Sequence, residues 1–288
     1  MKTVLFIGAT GQLGKPVALE FLKAGFRVKA LVRRPNLAIH QLPKEIELVK
    51  GDVFDRASLE RAIEPGDIIY LNFSVKPEES PSQMKTDREG VENVLAVART
   101  KKASRVIYLA SLVQKYQGMN GFDWWVFKLK IEAEKKIRAS GVPYSIFYPS
   151  TFMDNFLGHY KRGNKIALAG KSHHKMWFIA AEDYGKQVVR SLDLDSSQNY
   201  EFTIQGREGF TADEAAQIFV KHYKKEKLKI MKAPMLVFKI LSPLVRSMNY
   251  LNHIMTALNE YPEQFESQET WKVLGEPRVT LKDFAERG

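Results

Sequence analysis

The sequence predicts a doubly wound α/β fold, in which helices cover both faces of a parallel β-sheet. Short runs rich in β-branched and aromatic residues recur up to residue 150, and helical patterns separate most of them. Strands that alternate with helices of this length need right-handed crossovers, which give a parallel sheet. The predicted strands are residues 3–7 (TVLFI), 26–32 (FRVKALV), 46–53 (IELVKGDV), 67–73 (DIIYLNF), 105–111 (RVIYLAS) and 144–150 (YSIFYPS).

The helices of this part are recognised by apolar residues that recur every three or four positions. The first runs from about residue 12 to residue 24 and ends at Gly25. Pro16 lies in its first turn, where the missing N–H costs nothing. A second helix is predicted for residues 86–103.

The chain after residue 150 is less regular. Residues 165–170 (KIALAG) and 199–206 (NYEFTIQG) have the pattern of strands, and a Thr211–Glu214 capping box begins a helix. Residues 234–260 predict a broken helical hairpin. We expect a smaller C-terminal region at the carboxyl ends of the strands, where open sheets bind ligands.

Composition excludes several classes of protein. The 288 residues include 44 Lys or Arg and 33 Asp or Glu, a net charge of +11. The basic residues are scattered and usually mixed with acidic ones. Solvent-exposed helix faces are therefore favoured over a nucleic-acid-binding surface as the explanation of the positive charge. The absence of cysteine excludes disulfides and thiolate metal sites and fits a reducing cytoplasm. Lys239, Pro243 and Arg246 interrupt the apolar residues 235–256, so no membrane span is expected.

The most informative motif, GATGQLG, follows the first predicted strand directly. Glycines allow a tight turn and a close approach of the backbone to a ligand, and a helix N-terminus offers N–H groups and a positive dipole. The position of the motif between a strand and a helix indicates a site for the pyrophosphate of a dinucleotide. The candidate cofactor-binding residues in it are Gly8, Thr10, Gly11, Gln12, Leu13 and Gly14.

The end of the second predicted strand, LVRRP, bears on the choice of dinucleotide. A carboxylate here would bind the ribose 2′-hydroxyl of NAD, whereas Arg33 or Arg34 can pair with the 2′-phosphate of NADP. NADP(H) is therefore favoured over NAD(H) as the cofactor. The alternative is that both arginines are solvent-exposed loop residues without a role in cofactor binding.

Other strand ends supply further candidate cofactor-binding residues, namely Asp52, Val53, Asn72, Phe73 and Ser111. Asp52 would reach the adenine amino group or, equally well, cap a turn. Ser111 would contact the cofactor or the substrate, or be a simple hydroxyl at a strand end. We expect residues 1–155, with a return segment near residues 176–205, to form the NAD(P)-binding domain. Residues 156–288 would form the substrate-binding region.

Several segments together resemble the atypical short-chain dehydrogenase/reductases of the NmrA-like group, which are related to the extended epimerases. The segments are GATGQLG, LVRRP, GDVFD, YLAS, KIEAEKKIRASGVPYSIFYPSTFMDN and WFIAAEDYG. The resemblance covers about residues 1–190 and is specific in order and spacing. It implies a Rossmann-type fold. It also implies that residues after the sixth strand lie near the nicotinamide, namely Pro149, Ser150, Thr151 and Phe152.

Extended members of that superfamily carry a Tyr-x-x-x-Lys pair on the helix after the fifth strand, in which the tyrosine is the general acid or base. Two registers are possible here, because Trp124 precedes Lys128 by four positions and Val126 precedes Lys130 by four. The family's usual spacing to SGVPY favours Lys130. No tyrosine occupies the key position in either register.

Helix periodicity independently places Lys130 on an apolar face with Val126, Ala133 and Ile137. An inward lysine must be paired, extend outward to water, or titrate low. The resemblance implies that Lys130 binds the nicotinamide ribose and acts as the catalytic residue. The alternative is a helix-stabilising ion pair with Glu134.

Without the tyrosine, epimerisation lacks the base that removes a proton from a sugar hydroxyl. Hydride transfer to a quinone or a polarised carbonyl needs no such base, because positioning supplies much of the acceleration and solvent can protonate the product. The sequence therefore predicts an NADPH-dependent oxidoreductase that reduces a small apolar carbonyl or quinone acceptor. A non-catalytic NAD(P)H sensor with a protein partner is the second hypothesis. A nucleotide-sugar epimerase or dehydratase using Tyr116 as a displaced acid is the third.

The last two features to consider in the sequence are a pocket for the acceptor and a metal site. Aromatic and apolar residues would line the pocket unless they belong to the core, namely Trp124, Trp125, Phe152, Met153 and Phe156. The adjacent His173 and His174 point in different directions in a strand, so we expect a loop pair and no metal site.

Overall fold

The computed structural model describes residues 2–288 and contains twelve strands and eleven α-helices within them. The strands are β1 (Thr3–Ile7), β2 (Arg27–Val32), β3 (Glu47–Lys50), β4 (Ile68–Leu71), β5 (Arg105–Leu109), β6 (Tyr144–Pro149), β7 (Lys161–Arg162), β8 (Lys165–Ala169), β9 (Met176–Trp177), β10 (Tyr200–Ile204), β11 (Gly209–Phe210) and β12 (Lys229–Ala233). The helices are α1 (Gly14–Lys23), α2 (Pro35–Ala38), α3 (Arg56–Ala62), α4 (Val91–Thr100), α5 (Trp125–Ala139), α6 (Ala181–Arg190), α7 (Ala212–His222), α8 (Met235–Leu241), α9 (Arg246–Glu260), α10 (Gln268–Leu274) and α11 (Leu281–Arg287).

The main sheet has seven parallel strands in the order β10-β6-β5-β4-β1-β2-β3. The predicted doubly wound fold and its six predicted strands are therefore confirmed. The seventh strand, β10, falls within the predicted return segment and pairs with β6 along its whole length. The strand order reverses between β1 and β4, which is where open sheets of this type form a ligand crevice.

Apolar residues cover both faces of this sheet, which explains why β1, β4 and β5 are buried throughout most of their length. On one face, Phe6, Phe21 and Tyr184 belong to a core built around α1 and α6. On the other face, a second core includes Val94 from α4 and Ile137 from α5. Two independent apolar layers thus hold the sheet.

Some helix boundaries differ from the sequence prediction. The first helix begins at Gly14 rather than at about residue 12, because residues 8–13 form a turn closed by the Gly11 N–H donating to Gly8 O at 3.1 Å. The helix predicted for residues 86–103 consists of a π-helical turn, Thr86–Gly90, followed by α4. The extra residue of a π turn turns Asp87 inward, as described below.

The C-terminal residues form a smaller layer with its own core. A three-stranded sheet, β12-β8-β7, packs against α7, and α7 contacts α11. The predicted capping box of Thr211 and Glu214 is confirmed at the start of α7. The predicted broken hairpin is confirmed as α8 and α9, which pack on each other. None of the helices in residues 2–288 has the length and apolarity to cross a bilayer.

One buried ion pair lies near the amino ends of β2 and β4, at the other end of these strands from the crevice. Lys29 is buried in β2, and its Nζ lies 2.8 Å from Asp67 Oδ2 and donates to Ala62 O at 3.1 Å. Asp67 is equally buried. Lys29 Nζ also lies 3.2 Å from Glu64 Oε2, but Glu64 is exposed, so removal of Asp67 would leave the buried ammonium with only a solvent-screened partner.

We expect Asp67→Ala to lower the free energy of unfolding by about 3 kcal/mol, because it leaves the buried Lys29 ammonium with only the exposed Glu64 carboxylate as its charge partner. The double variant Lys29→Met, Asp67→Ala should recover most of this loss. Urea denaturation measures both. Arg27→Ala, which removes an exposed pair with Glu47, is the control and should leave stability nearly unchanged. A double variant as unstable as the single one would contradict this account.

Candidate functional site

A cleft of about 670 Å³ opens at the carboxyl ends of β1, β2, β3 and β4. Eight of the predicted cofactor-binding residues line it, namely Gly8, Thr10, Arg33, Arg34, Asp52, Val53, Asn72 and Phe73. The segment between β4 and the π turn closes one side through Lys76, Glu79 and Met84. The fold therefore brings residues from four separate strand ends into one cavity.

The glycines of the first turn are required by close contacts of the backbone. Gly8 has φ +93°, and a Cβ on it would collide with the carbonyl oxygen of Asn72. A Cβ on Gly14 would collide with Gly8 O. Asn72 Nδ2 in turn donates to Gly8 O at 3.2 Å. The turn is thus held tightly against the end of β4, with the N-terminus of α1 directly after it.

Gln12, Leu13 and Gly11 lie in the same turn but do not line the cleft. The Gln12 side-chain amide donates to the carbonyl of Asp154, which lies after β6. Leu13 packs on the core of the α1 face. These two side chains therefore fasten the turn to its surroundings.

The mouth of the cleft carries the two predicted arginines. Arg33 and Arg34 are exposed, and neither forms a salt bridge or side-chain hydrogen bond within residues 2–288. Pro35 begins α2 immediately afterwards, which turns the chain across the cleft mouth. No acidic residue follows β2 directly. Two uncompensated positive charges thus face a cavity of the size that a nucleotide fills.

Asp52 lines the cleft and also caps a turn. Its Oδ1 accepts a hydrogen bond of 3.0 Å from the backbone N–H of Phe54. The carbonyl of the next residue, Val53, accepts from Asn93 Nδ2 at 3.0 Å. The turn-capping alternative is therefore observed, and the second carboxylate oxygen of Asp52 forms no hydrogen bond within residues 2–288.

Lys130 is mostly buried, with 13% of its side chain exposed, and it pairs with a residue that the sequence did not reveal. Its Nζ lies 3.2 Å from Oδ1 of Asp87, a side chain with no exposed surface. The Tyr108 hydroxyl donates to the same Asp87 oxygen at 2.5 Å. Burial, reinforced by the Asp87 carboxylate, raises the pKa of Tyr108 well above its ordinary value.

The alternative ion pair between Lys130 and Glu134 is not present. Glu134 is buried and accepts hydrogen bonds from Gln114, Arg138 and Tyr148 instead. The predicted helix face is confirmed, because Val126, Ala133 and Ile137 are buried beside Lys130. A second lysine that sequence reasoning missed, Lys85, is also buried. It pairs with Glu79 at 2.9 Å and lies over the Trp125 ring.

The candidates nearest the expected nicotinamide end lie beyond the lining of the cleft, namely Ser111, Lys130, Pro149, Thr151 and Phe152. Pro149 ends β6, and Thr151 and Phe152 are buried after it. Ser150 Oγ donates to Glu263 at 2.9 Å. Burial raises the pKa of this carboxyl, which reaches the end of β6 from the C-terminal region. No sequence pattern marks Glu263, because the contact spans more than a hundred residues.

The expected aromatic acceptor pocket is not assembled. Phe152 packs on Tyr184, Met153 and Phe156 belong to the C-terminal core, and Trp124 stacks on His253 of α9. These residues are core, which was the alternative interpretation. Tyr116 is buried against Phe122 and Tyr261. His173 lies 3.8 Å from Glu260 in the loop pair that was expected.

A parallel sheet whose first βα turn is rich in glycine, with a cleft at its carboxyl ends, defines a Rossmann-type nucleotide-binding protein. Residues 1–283 match the sequence model of the NmrA-like family. The chain therefore belongs to the NmrA-like family, as its motifs predicted.

Relatives within this fold have different activities. The photosystem II assembly factor Ycf39 of Trieres chinensis is 22% identical over 84% of this chain and 75% of its own length. A (4-alkanoyl-5-oxo-2,5-dihydrofuran-3-yl)methyl phosphate reductase of Streptomyces griseus is 28% identical over 73% of this chain and 70% of its own.

Among solved structures, an NADPH-dependent quinone oxidoreductase of Escherichia coli in complex with NADPH superposes with a TM-score of 0.74. It is 20% identical, and the match covers 99% of each chain. This similarity demonstrates a shared fold over essentially the whole chain.

Gly14→Ala should destabilise the turn even though alanine favours helices, because the new Cβ collides with backbone. We expect a loss of about 1–3 kcal/mol in the free energy of unfolding, in the range of overpacked sites. Gly11→Ala is the matched control, since its Cβ would lie 3.2 Å from Gly8 O and its φ is not positive. Thermal or urea unfolding compares them, and equal effects of the two substitutions would contradict the role assigned to this contact.

Proposed function

We propose that this protein is an NADPH-dependent reductase that transfers hydride to a small apolar carbonyl or quinone. The observation that carries the proposal is the cleft itself, in which a glycine-rich turn and two unpaired arginines, Arg33 and Arg34, line one cavity. A 2′-phosphate needs such cations, and no carboxylate follows β2 to bind a 2′-hydroxyl instead.

The residues present fit a nicotinamide dinucleotide. Backbone N–H groups of the turn from Gly8 to Gly14 would bind the pyrophosphate, and Arg33 or Arg34 the 2′-phosphate. The dinucleotide, when bound, supplies the hydride. Asp52 would reach the adenine through its free carboxylate oxygen.

The role of Lys130 follows from its partners. An ammonium held by Asp87 and directed along β4 towards the Phe73 carbonyl would bind ribose hydroxyls with its remaining hydrogen. Asp87 orients the ammonium, and the Tyr108 hydroxyl donates to the same Asp87 oxygen. Because no tyrosine stands four positions before Lys130, solvent would protonate the reduced product.

Relatives support this proposal in general terms. One of the proteins compared above is named as a reductase and another as an NADPH-dependent quinone oxidoreductase, and the second was solved with NADPH. The third hypothesis, epimerisation through Tyr116, is not favoured, since Tyr116 packs in an aromatic cluster without a hydrogen bond within residues 2–288.

A specific observation also favours the second hypothesis, an NAD(P)H sensor without turnover. The residues expected around the nicotinamide lie outside the cleft, and the aromatic side chains that would line an acceptor pocket are packed in cores. A protein that binds the dinucleotide and a protein partner needs no acceptor pocket. Two measurements separate the hypotheses.

The first measurement is dinucleotide affinity by calorimetry. We expect NADPH to bind at least about tenfold more tightly than NADH, because a charge-assisted contact contributes about 1.5–3 kcal/mol. Arg33→Ala with Arg34→Ala should remove this preference. Arg56→Ala, an exposed arginine outside the cleft, is the matched control and should retain it. Equal binding of NADH by the unaltered protein would refute the proposed cofactor.

The second measurement is NADPH oxidation with a panel of quinones and enals. Lys130→Met should lower kcat/KM at least about tenfold, and Lys128→Met, on the exposed face of the same helix, should not. In Lys130→Met alone, the buried Asp87 carboxylate has no cationic partner. The double variant Lys130→Met, Asp87→Asn removes that charge as well and tests whether the loss of kcat/KM reflects misfolding. Tight NADPH binding with no turnover across the panel would favour the sensor.

A further inference from the structure

The start of the C-terminal hairpin carries an unusual apolar surface. More than half of the exposed large apolar side chains in residues 2–288 lie between positions 230 and 245. We call this group the apolar patch, and its members are Ile230, Met231, Leu236, Val237, Ile240, Leu241, Leu244 and Val245. Leu236, Ile240 and Leu244 are 63%, 62% and 81% exposed. Exposed apolar side chains concentrated in one segment in this way indicate an interaction site.

The patch is held in place by the rest of the fold. Helix α8 has no buried residue, although six of its seven residues are apolar. Its Met235 packs so closely on Gly170 that a Cβ there would collide with it. Strand β12 pairs with β8 just before the helix. A helix this apolar is normally covered on all sides, whereas the outer face of α8 is open to solvent.

That outer face is one continuous side of the helix. At about 100° per residue, positions 236, 237, 240 and 241 span roughly 140° of the α8 circumference. Phe238 and Lys239 lie about 60° beyond the two edges of this arc; Phe238 is half-buried and Lys239 is exposed. The helix therefore has a wide exposed apolar face with a cation near one edge.

Charge around the patch has a single sign. No aspartate or glutamate occurs from residue 227 to residue 259, although acidic residues are spread through the rest of the chain. The cations in this stretch are Lys227, Lys229, Lys232, Lys239 and Arg246. Lys232 pairs with Asp213, and the other four form no salt bridge within residues 2–288. The segment that carries the patch thus has four cations without a carboxylate partner and no acidic residue.

We propose that the apolar patch docks this protein on the surface of an anionic lipid bilayer. An exposed apolar helix face edged by lysines is the arrangement that lies in the headgroup and acyl-chain boundary, where aliphatic groups are buried and cations meet anionic lipids. This binding is separate from the dinucleotide cleft and does not depend on the proposed reductase activity.

Two other occupants fit less well. A second copy of the chain docked through the same patch would bring its cations against one another, because a two-fold interface pairs identical surfaces. Protein interfaces are enriched in aromatic residues and arginine and depleted in lysine. The patch contains only aliphatic residues and methionine, and all but one of its cations are lysines.

Flotation of the full chain with vesicles tests the proposal. We expect binding to vesicles of phosphatidylglycerol mixed into phosphatidylcholine, little binding to phosphatidylcholine alone, and weakening with added salt. Leu236→Ser with Ile240→Ser should weaken binding at least about tenfold. The matched control is Ile39→Ser with Val273→Ser, two apolar residues of similar exposure, 59% and 53%, in other parts of the surface.

Both double variants remove exposed side chains, so circular dichroism should show the same thermal midpoint as the unaltered protein. Absence of binding to the anionic vesicles would overturn the proposal. Binding that Leu236→Ser with Ile240→Ser leaves unchanged would also overturn it. A concentration-dependent dimer that this variant abolishes, seen by light scattering without lipid, would assign the patch to a second copy instead.

Discussion

The cleft depends on the close packing of the first βα turn against the end of β4. Gly8 O lies where a Cβ on Gly14 would be, and the Asn72 backbone lies where a Cβ on Gly8 would be. Because both contacts are between backbone atoms, neither side can move aside for a methyl group. The first turn of α1 therefore stays open, and the ends of the neighbouring strands face one cavity.

Beside this turn, the site contains a buried network that joins a lysine, an aspartate and a tyrosine. In a buried environment each charge needs a partner, and Asp87 serves both Lys130 and Tyr108. Without a tyrosine four positions earlier on α5, the helix offers a fixed cation rather than a proton donor. The arrangement suits binding and orientation of a ribose more than acid–base chemistry, which is why reduction with solvent protonation and sensing without turnover both remain compatible with it.

The net charge of +11 has two components that composition alone cannot separate. Many basic residues are paired with carboxylates across the surface, for example Lys136 with Glu92 and Arg138 with Glu201. This agrees with the interpretation of solvated, mixed-charge helix faces. The stretch from residue 227 to residue 259 differs, because it has lysines and an arginine but no acidic residue, and it includes the apolar patch. The excess of positive charge is therefore partly local, and it lies where aliphatic side chains face water.

The sequence by itself determined the parallel sheet, the glycine turn, the arginines after β2 and the inward direction of Lys130. Each of these follows from a local period or a short motif, and local geometry carries over into the folded chain. Only the tertiary structure decided what those residues meet. Asp87 reaches Lys130 through a π turn that helical periodicity does not encode, and Glu263 reaches Ser150 across more than a hundred residues. The aromatic residues expected around an acceptor pocket lie in three cores, because burial of apolar surface depends on which elements pack together and no local pattern specifies that.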